Sequence, residues 1–211
     1  MTLEVMTPAA FAAETGVSRE TLARLQSYAD LLRRWQRSVN LVSPSTVPDL
    51  WRRHMLDSAQ LWPLLPETRR LVDIGSGAGF PGLVLSILGV PEVHLIESDR
   101  RKAAFLAEAA RVTAAPALVH AGRAEDPAVV AAVGGPADVV TARALAPLPR
   151  LLEHAAPFLA QHTVCVFLKG RNVDQELADA AISWTMAVDR VPSRSDPGGT
   201  VLRLGALGRV T

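Results

Sequence analysis

From Leu71 to Gly82 the chain reads Leu-Val-Asp-Ile-Gly-Ser-Gly-Ala-Gly-Phe-Pro-Gly. A hydrophobic run carries an acidic residue, Asp73, near its end, and glycines then occupy every second position at Gly75, Gly77 and Gly79. Glycine lets a backbone come close to a ligand with no Cβ in the way, and in an open parallel sheet ligands approach the carboxyl ends of the strands. Two chemistries fit such a turn. Residues 77–82 match the G-x-G-x-x-G fingerprint of dinucleotide binding. Read two residues earlier, the strand ends at Ile74, Gly75 opens the turn, and residue 80 is Phe where that fingerprint needs its third glycine. Asp73 is then poorly placed for a pyrophosphate, whereas a negative strand end suits a ligand that is cationic and carries no phosphate. The second register is the favoured one.

Other charged residues fall at matching places. Glu97 closes the next hydrophobic run, 22 residues after Gly75, where a carboxylate accepts hydrogen bonds from ribose hydroxyls. Its neighbour Asp99 suits the cap of a helix starting at Arg100. A third run leads into Ala121-Gly122-Arg123-Ala124-Glu125, a turn whose backbone at Ala124 and Glu125 is placed to read the edge of an adenine; a carboxylate at a helix start serves equally well as an account of Glu125. Arg143 ends the fourth run and Lys169 the fifth. His54 and Asp57 stand three apart on one helix, where they either pair with each other, setting the helical segment against the sheet, or face the substrate. No second histidine or cysteine lies at ligand spacing, so no metal site is expected. Cys165, inside Val-Cys-Val, reads as a small buried hydrophobe.

The elements that must position these residues follow from periodicity. Thr7-Pro8 is an N-cap with a first-turn proline and Gly16 ends that short helix. Ser18 caps a longer one, in which Leu22, Leu25, Leu32, Trp35 and Val39 mark one buried face. Its arginines, Arg24, Arg33, Arg34 and Arg37, read as a solvated face. A third helix is expected over 48–61, stopped by Pro63 and Pro66. From residue 70 short β-branched runs at 71–74, 92–96, 117–120, 138–141 and 164–168 alternate with helices at 81–88, 100–112, 127–133, 147–159 and 173–180. Such alternation predicts an α/β fold with a mostly parallel sheet covered on both faces. Segments 184–191 and 200–204 flank a turn at 194–199 without an intervening helix, which predicts an antiparallel C-terminal edge strand. The expected organisation is an N-terminal helical segment, residues 1–66, packed on a core domain, 67–211, as one unit.

Composition excludes several classes. With 211 residues, 49% of them apolar and 20% charged, the chain is neither disordered nor collagen-like, and one cysteine rules out a disulfide scaffold. Residues 74–91 carry no formal charge but hold five glycines and two prolines, so they do not span a membrane. Glu4 and the lack of a basic start argue against a signal peptide. The net charge of +1 excludes a coat of positive charge. It conceals a division, however: residues 71–140 have five basic against eight acidic residues, and the basic excess lies on either side. Local nucleic-acid contacts remain compatible with that division.

The Asp73–Gly79 pattern resembles motif I of the Rossmann-like methyltransferases that use S-adenosylmethionine, a cationic and phosphate-free cofactor. Beyond that loop, Asn40-Leu41, Trp51-Arg52-Arg53-His54-Met55-Leu56-Asp57-Ser58, Arg143-Ala144 and Leu168-Lys169-Gly170 together resemble the glucose-inhibited division protein B family, the bacterial small-subunit (16S) ribosomal RNA guanine-N7 methyltransferases. The resemblance covers nearly the whole chain. It implies a Rossmann-like S-adenosylmethionine-dependent methyltransferase fold, with Gly75, Phe80, Ala124, Glu125 and Arg143 as cofactor contacts beside Asp73, Gly77, Gly79 and Glu97. Glu97 stands where the family often has aspartate. Arg143 and Lys169 are then expected to hold RNA phosphate or the guanine, with Arg123, Arg194, Arg203 and Arg209 as further RNA contacts. The implied partner is small-subunit ribosomal RNA or the 30S particle, met in the cytoplasm by a monomer with no metal. A dinucleotide-dependent oxidoreductase and a non-catalytic ribosome assembly module are the alternatives.

Overall fold

The computed structural model describes residues 5–210; Glu4 lies outside them. Five strands, β1 (Arg70–Ile74), β2 (Glu92–Glu97), β3 (Ala117–Ala121), β4 (Val139–Arg143) and β5 (Val164–Lys169), pair in parallel in the order β3-β2-β1-β4-β5. The C-terminal hairpin completes the sheet: β7 (Thr200–Arg209) runs antiparallel against β5, and β6 (Trp184–Pro192) lies outermost against β7. This is the mostly parallel α/β sheet with an antiparallel C-terminal edge that the alternation of elements predicts. β1 and β4 separate here as neighbours whose following loops go to opposite faces, which opens a crevice at their carboxyl ends.

Alternation along each strand divides the core in two. Leu71, Val139, Val166 and Leu168 face one cluster; Val72, Ile74, Val140, Cys165 and Phe167 face the other. The first face is covered by α2 (Arg19–Trp35), α4 (Gly82–Leu88) and α5 (Arg100–Thr113), with Leu25, Leu32, Leu85 and Phe105 buried in it. The second is covered by α6 (Pro127–Val133), α7 (Leu148–Ala155) and α8 (Val173–Ala180). Each fully buried Leu or Phe contributes roughly 1.5–3 kcal/mol.

The expected caps form. The Thr7 hydroxyl accepts from the Ala10 N–H ahead of α1 (Pro8–Thr15), Gly16 takes the left-handed conformation after it, and the Ser18 hydroxyl accepts from the Thr21 N–H. Two expectations need correction. Arg24 is not part of a solvated face: its Nε donates to the Thr113 carbonyl at 2.7 Å and Nη2 to that of Ala114 at 3.1 Å. The last carbonyls of α5 lack intrahelical partners, and Arg24 supplies them. The helix expected over 48–61 is a π-helical turn, Trp51–Leu56, that continues into the short α3 (Asp57–Ala59) and a 3-10 turn at Trp62–Leu64. Its diagnostic i→i−5 bond runs from the Asp57 N–H to the Arg52 carbonyl.

Candidate functional site

The glycine loop is pinned between the ends of β1 and β2. Gly75, Gly77 and Gly79 have φ of +68°, +58° and +97°, backbone that only glycine adopts without strain. Ser76 N–H donates to the Ile96 carbonyl at 3.0 Å, and the Gly77 N–H to Glu97 Oε2 at 2.7 Å. The N–H groups of Gly79 and Phe80 converge on the Ser76 carbonyl at 2.7 and 3.2 Å.

Asp73 lies beneath this loop, with no exposed surface. Its Oδ1 accepts from the Thr141 hydroxyl at 2.7 Å and its Oδ2 from the Gly82 N–H at 3.3 Å, so it ties β1 to β4 and to the start of α4. Burial pushes its pKa up to about 6, against the Thr141, Ser76 and Gly82 hydrogen bonds and the Arg143 charge. A Cβ at Gly82 would meet Asp73 Cβ and Leu95 Cδ2 at 2.6 Å, so this packing requires glycine there. The donor that a pyrophosphate would seek at the start of α4 is therefore already engaged by a carboxylate.

Glu97 lines the cavity, accepting from the Gly77 and Asp99 N–H groups, each at 2.7 Å. Asp99 caps α5 through the N–H groups of Arg101 and Lys102. Gly75, Gly77, Phe80, Glu97, Arg143 and Lys169 all line one cavity of about 840 Å³ at the strand ends, near the upper end of the usual range for small-molecule sites. Ala124, Glu125 and Arg123 line a second, of about 210 Å³, that shares Gly75 and Leu145 with the first. There Glu125 Oε2 lies 3.3 Å from His154 Nδ1.

Arg143 is held on three sides. One guanidinium nitrogen donates to the Arg53 carbonyl and to Asp57 Oδ2, both at 3.1 Å, and the other to His54 Nδ1 at 2.8 Å. The guanidinium sits 5.1 Å from the Phe80 ring centre, and the His54 ring stacks on the same phenyl at 4.9 Å. His54 and Asp57 thus serve Arg143 rather than each other, which corrects the expected pairing. An arginine offers only donors, so His54 Nδ1 is the acceptor and its proton resides on Nε2, donated to the Thr46 hydroxyl at 2.8 Å. Burial, then the Arg143 and Arg53 charges, lower the His54 pKa to about 3.

The Lys169 side chain is 8% exposed, with Nζ 2.5 Å from Glu176 Oε2 and donating to the Ala146 carbonyl at 3.0 Å. Glu176 also accepts from the Leu148 N–H at 2.7 Å. The hairpin turn closes the remaining wall. Asp57 Oδ1 accepts from the Ser195 hydroxyl, Gln60 Oε1 accepts from the Arg194 N–H at 2.7 Å, and Arg53 pairs with Asp196 at 3.2 Å.

The remaining sequence-predicted arginines stand apart from the cavity's polar groups. Arg194 pairs with Glu14 at 3.0 Å, Arg203 with Asp189 at 3.1 Å, and Arg209 with Glu153 at 2.5 Å. Arg123 is exposed and has no carboxylate partner among the described residues. Sequence reasoning missed Thr46, Glu176 and Ser195, each an ordinary polar residue with no motif around it. Cys165 is buried, with its thiol pKa pushed up by burial alone.

A family model described as rRNA small subunit methyltransferase G matches residues 21–196. The ribosomal RNA small subunit methyltransferase G of Rhodospirillum rubrum is 59% identical over 205 residues, spanning 97% of this chain and 100% of that protein. Its namesake from Rhodospirillum centenum is 62% identical over 198 residues, 93% of this chain and 89% of that one. Among solved structures, a fibrillarin/Nop5p complex superposes with a TM-score of 0.58 at 12% identity, covering 74% of this chain and 82% of that chain. M. jannaschii TYW2 in complex with AdoMet does so with 0.55 at 16% identity, covering 82% and 80%. At those identities the two structures share the fold.

Proposed function

The chain belongs to the rRNA small subunit methyltransferase G family, and from that premise we propose that it methylates N7 of a specific guanine in small-subunit (16S) ribosomal RNA. It is an S-adenosylmethionine-dependent methyltransferase. The residues present fit that cofactor: a cradle in which a Cβ at Gly75 or Gly79 would strike neighbours at 2.6 and 2.9 Å, an acidic strand end, and a Gly82 N–H at the helix start already engaged by that carboxylate. Gly75, Gly77, Gly79 and Phe80 form the seat, Glu97 takes the ribose hydroxyls, and the backbone at Ala124 and Glu125 meets the adenine. Asp73 acts from beneath by holding the loop.

One observation carries the choice of N7. The four carboxylates lining the main cavity, Asp57, Glu97, Glu176 and Asp196, each accept a hydrogen bond or ion pair from within the protein, and His54 is committed at both ring nitrogens. Among the described residues lining this cavity, no carboxylate or imidazole therefore stands without an internal partner. When bound, the cofactor would supply an electrophilic sulfonium methyl, and attack by the in-plane N7 lone pair would release adenosylhomocysteine with no proton for the protein to remove. An amino-group target would need a base. This chain's contribution is therefore placement and field: Arg143, held by three acceptors, contacts the cofactor and presents its remaining donor capacity at the guanine, whose O6 is the acceptor left beside N7. Lys169, at the end of the neighbouring strand β5, is a second contact. Arg123, Arg194 and Arg203 hold the surrounding RNA backbone. The target guanine must be unstacked or extruded, because the deep major groove of A-form RNA admits no active site.

The reading includes a monomer acting in the cytoplasm on the RNA or the 30S particle. Among the described residues no helix is long and apolar enough to cross a membrane. The test is labelled methyl transfer to naked small-subunit RNA, the 30S particle and the whole ribosome, followed by nucleoside analysis. The expected product is 7-methylguanosine at one position. Label recovered on an exocyclic amine or a ribose overturns the assignment.

A further inference from the structure

We infer that Tyr28 is a positioning residue of the cofactor site, so that helix α2 belongs to that site although it contributes no lining side chain; the inference rests on the reading of the glycine loop as the cofactor's seat.

Tyr28 is the chain's only tyrosine and is fully buried. Its hydroxyl donates to the Ala78 carbonyl, at the crest of the glycine loop. The peptide unit joining Ala78 to Gly79 is thereby held at both ends. Its carbonyl takes the phenol proton, and its N–H, on Gly79, donates to the Ser76 carbonyl at 2.7 Å. A planar peptide anchored at both polar atoms cannot turn without losing one of the two bonds. Its orientation fixes where the flanking Ala78 and Phe80 stand, and both line the cavity.

The ring strengthens the same link. Its centre lies 5.4 Å from that of Phe80 and 6.2 Å from that of Phe105, within the range of favourable aromatic pairs. Phe80 in turn lies beneath both Arg143 and His54. A Cβ at Gly79 would come within 2.9 Å of the Tyr28 oxygen, so the hydroxyl needs the glycine to reach its acceptor. Burial raises the phenol pKa, Asp73 adds to this and Arg143 opposes it, so the group remains a permanent donor. A tyrosine retained only for bulk would need none of this: phenylalanine fills the same volume.

The test is Tyr28→Phe in the full chain. Calorimetric titration with adenosylhomocysteine should show about ten-fold weaker binding, the equivalent of one buried hydrogen bond. The KM for S-adenosylmethionine should rise in step, while the KM for the 30S particle stays at the wild-type value. A purely structural role would lower Tm and the fraction of binding-competent molecules without changing the Kd of those that bind. A Kd within two-fold of wild type in folded Tyr28→Phe overturns the inference. Should the variant not fold, the wild type decides: a ring-labelled tyrosine gives a single NMR signal, expected to shift on saturation with adenosylhomocysteine, and an unmoved signal overturns the inference. Wild type that binds no adenosylhomocysteine removes the cofactor reading itself, and the inference with it.

Discussion

Arg143 and His54, 89 residues apart in sequence, share a 2.8 Å hydrogen bond in which the imidazole must accept. The bond exists only while the ring is neutral. A protonated His54 would bring a second positive charge against the guanidinium proposed to hold the substrate, and the cavity would lose its best-fixed cation.

This gives a pH prediction. His54 has a pKa of about 3 in the fold against 6.5 ordinarily. As pH falls through 6.5 the unfolded chain takes up a proton that the folded one refuses until about 3. Its contribution to stability is thus fully present above pH 6.5 and lost progressively toward pH 3. In His54→Asn, whose carbonyl can still accept from Arg143, that loss should disappear. Urea midpoints measured across the window should fall more steeply with falling pH in the wild type than in His54→Asn, and parallel curves would contradict the assignment.

Arg143 itself is tested by Arg143→Ala and Arg143→Lys. Loss of a preorganised donor of this kind lowers turnover by about a hundred-fold or more. Lysine should not rescue it, because a single ammonium cannot satisfy Asp57, His54 and the Arg53 carbonyl together. Labelled methyl transfer under saturating cofactor measures the loss, and thermal melts close to wild type show that the fold survives.

Lys169 and Glu176 form a nearly buried pair. Removing one partner strands the other's charge, so Lys169→Met should cost about 3 kcal/mol in chemical denaturation. The double variant Lys169→Met with Glu176→Leu should recover part of that stability. It should remain poorly active, because the proposed contact to RNA is gone in both. Recovery of turnover together with stability would reduce Lys169 to a structural lysine.

The arginines separate by their present partners. Among the described residues Arg123 has no carboxylate to give up, whereas Arg203 is paired with Asp189 and also donates to the Leu64 carbonyl. Arg123→Ala should weaken RNA binding and reduce the salt dependence of affinity by about one phosphate contact. Arg203→Ala should show the smaller change in salt slope, and filter binding at several ionic strengths compares them directly.

The sheet and the glycine loop were legible because they are local. A β-branched run, a glycine turn and an amphipathic helix announce themselves within a dozen residues, and the caps at Thr7 and Ser18 are read from single side chains. The wiring of the site was not legible for the opposite reason. His54 and Asp57 were visible as a helical pair, but their common partner arrives with β4, and nothing near residue 54 points to residue 143. The π-helical turn that carries them has no composition of its own. Arg24 looked like one of four surface charges until the end of α5 came up against it. Tyr28 sits on the buried face of α2 among leucines, where its hydroxyl is silent until the loop lies beneath it.

The bonds from Arg53, Asp57 and Gln60 to the turn at residues 193–196 have a consequence for the order in which the protein becomes competent. Synthesis delivers the glycine loop and β1 to β5 well before Ser195 and Asp196. In chain order, the proposed cofactor seat therefore precedes the turn that closes the proposed substrate mouth. A chain cut before residue 193 would lack that wall, leaving Asp57 without the Ser195 hydroxyl and Arg53 without Asp196.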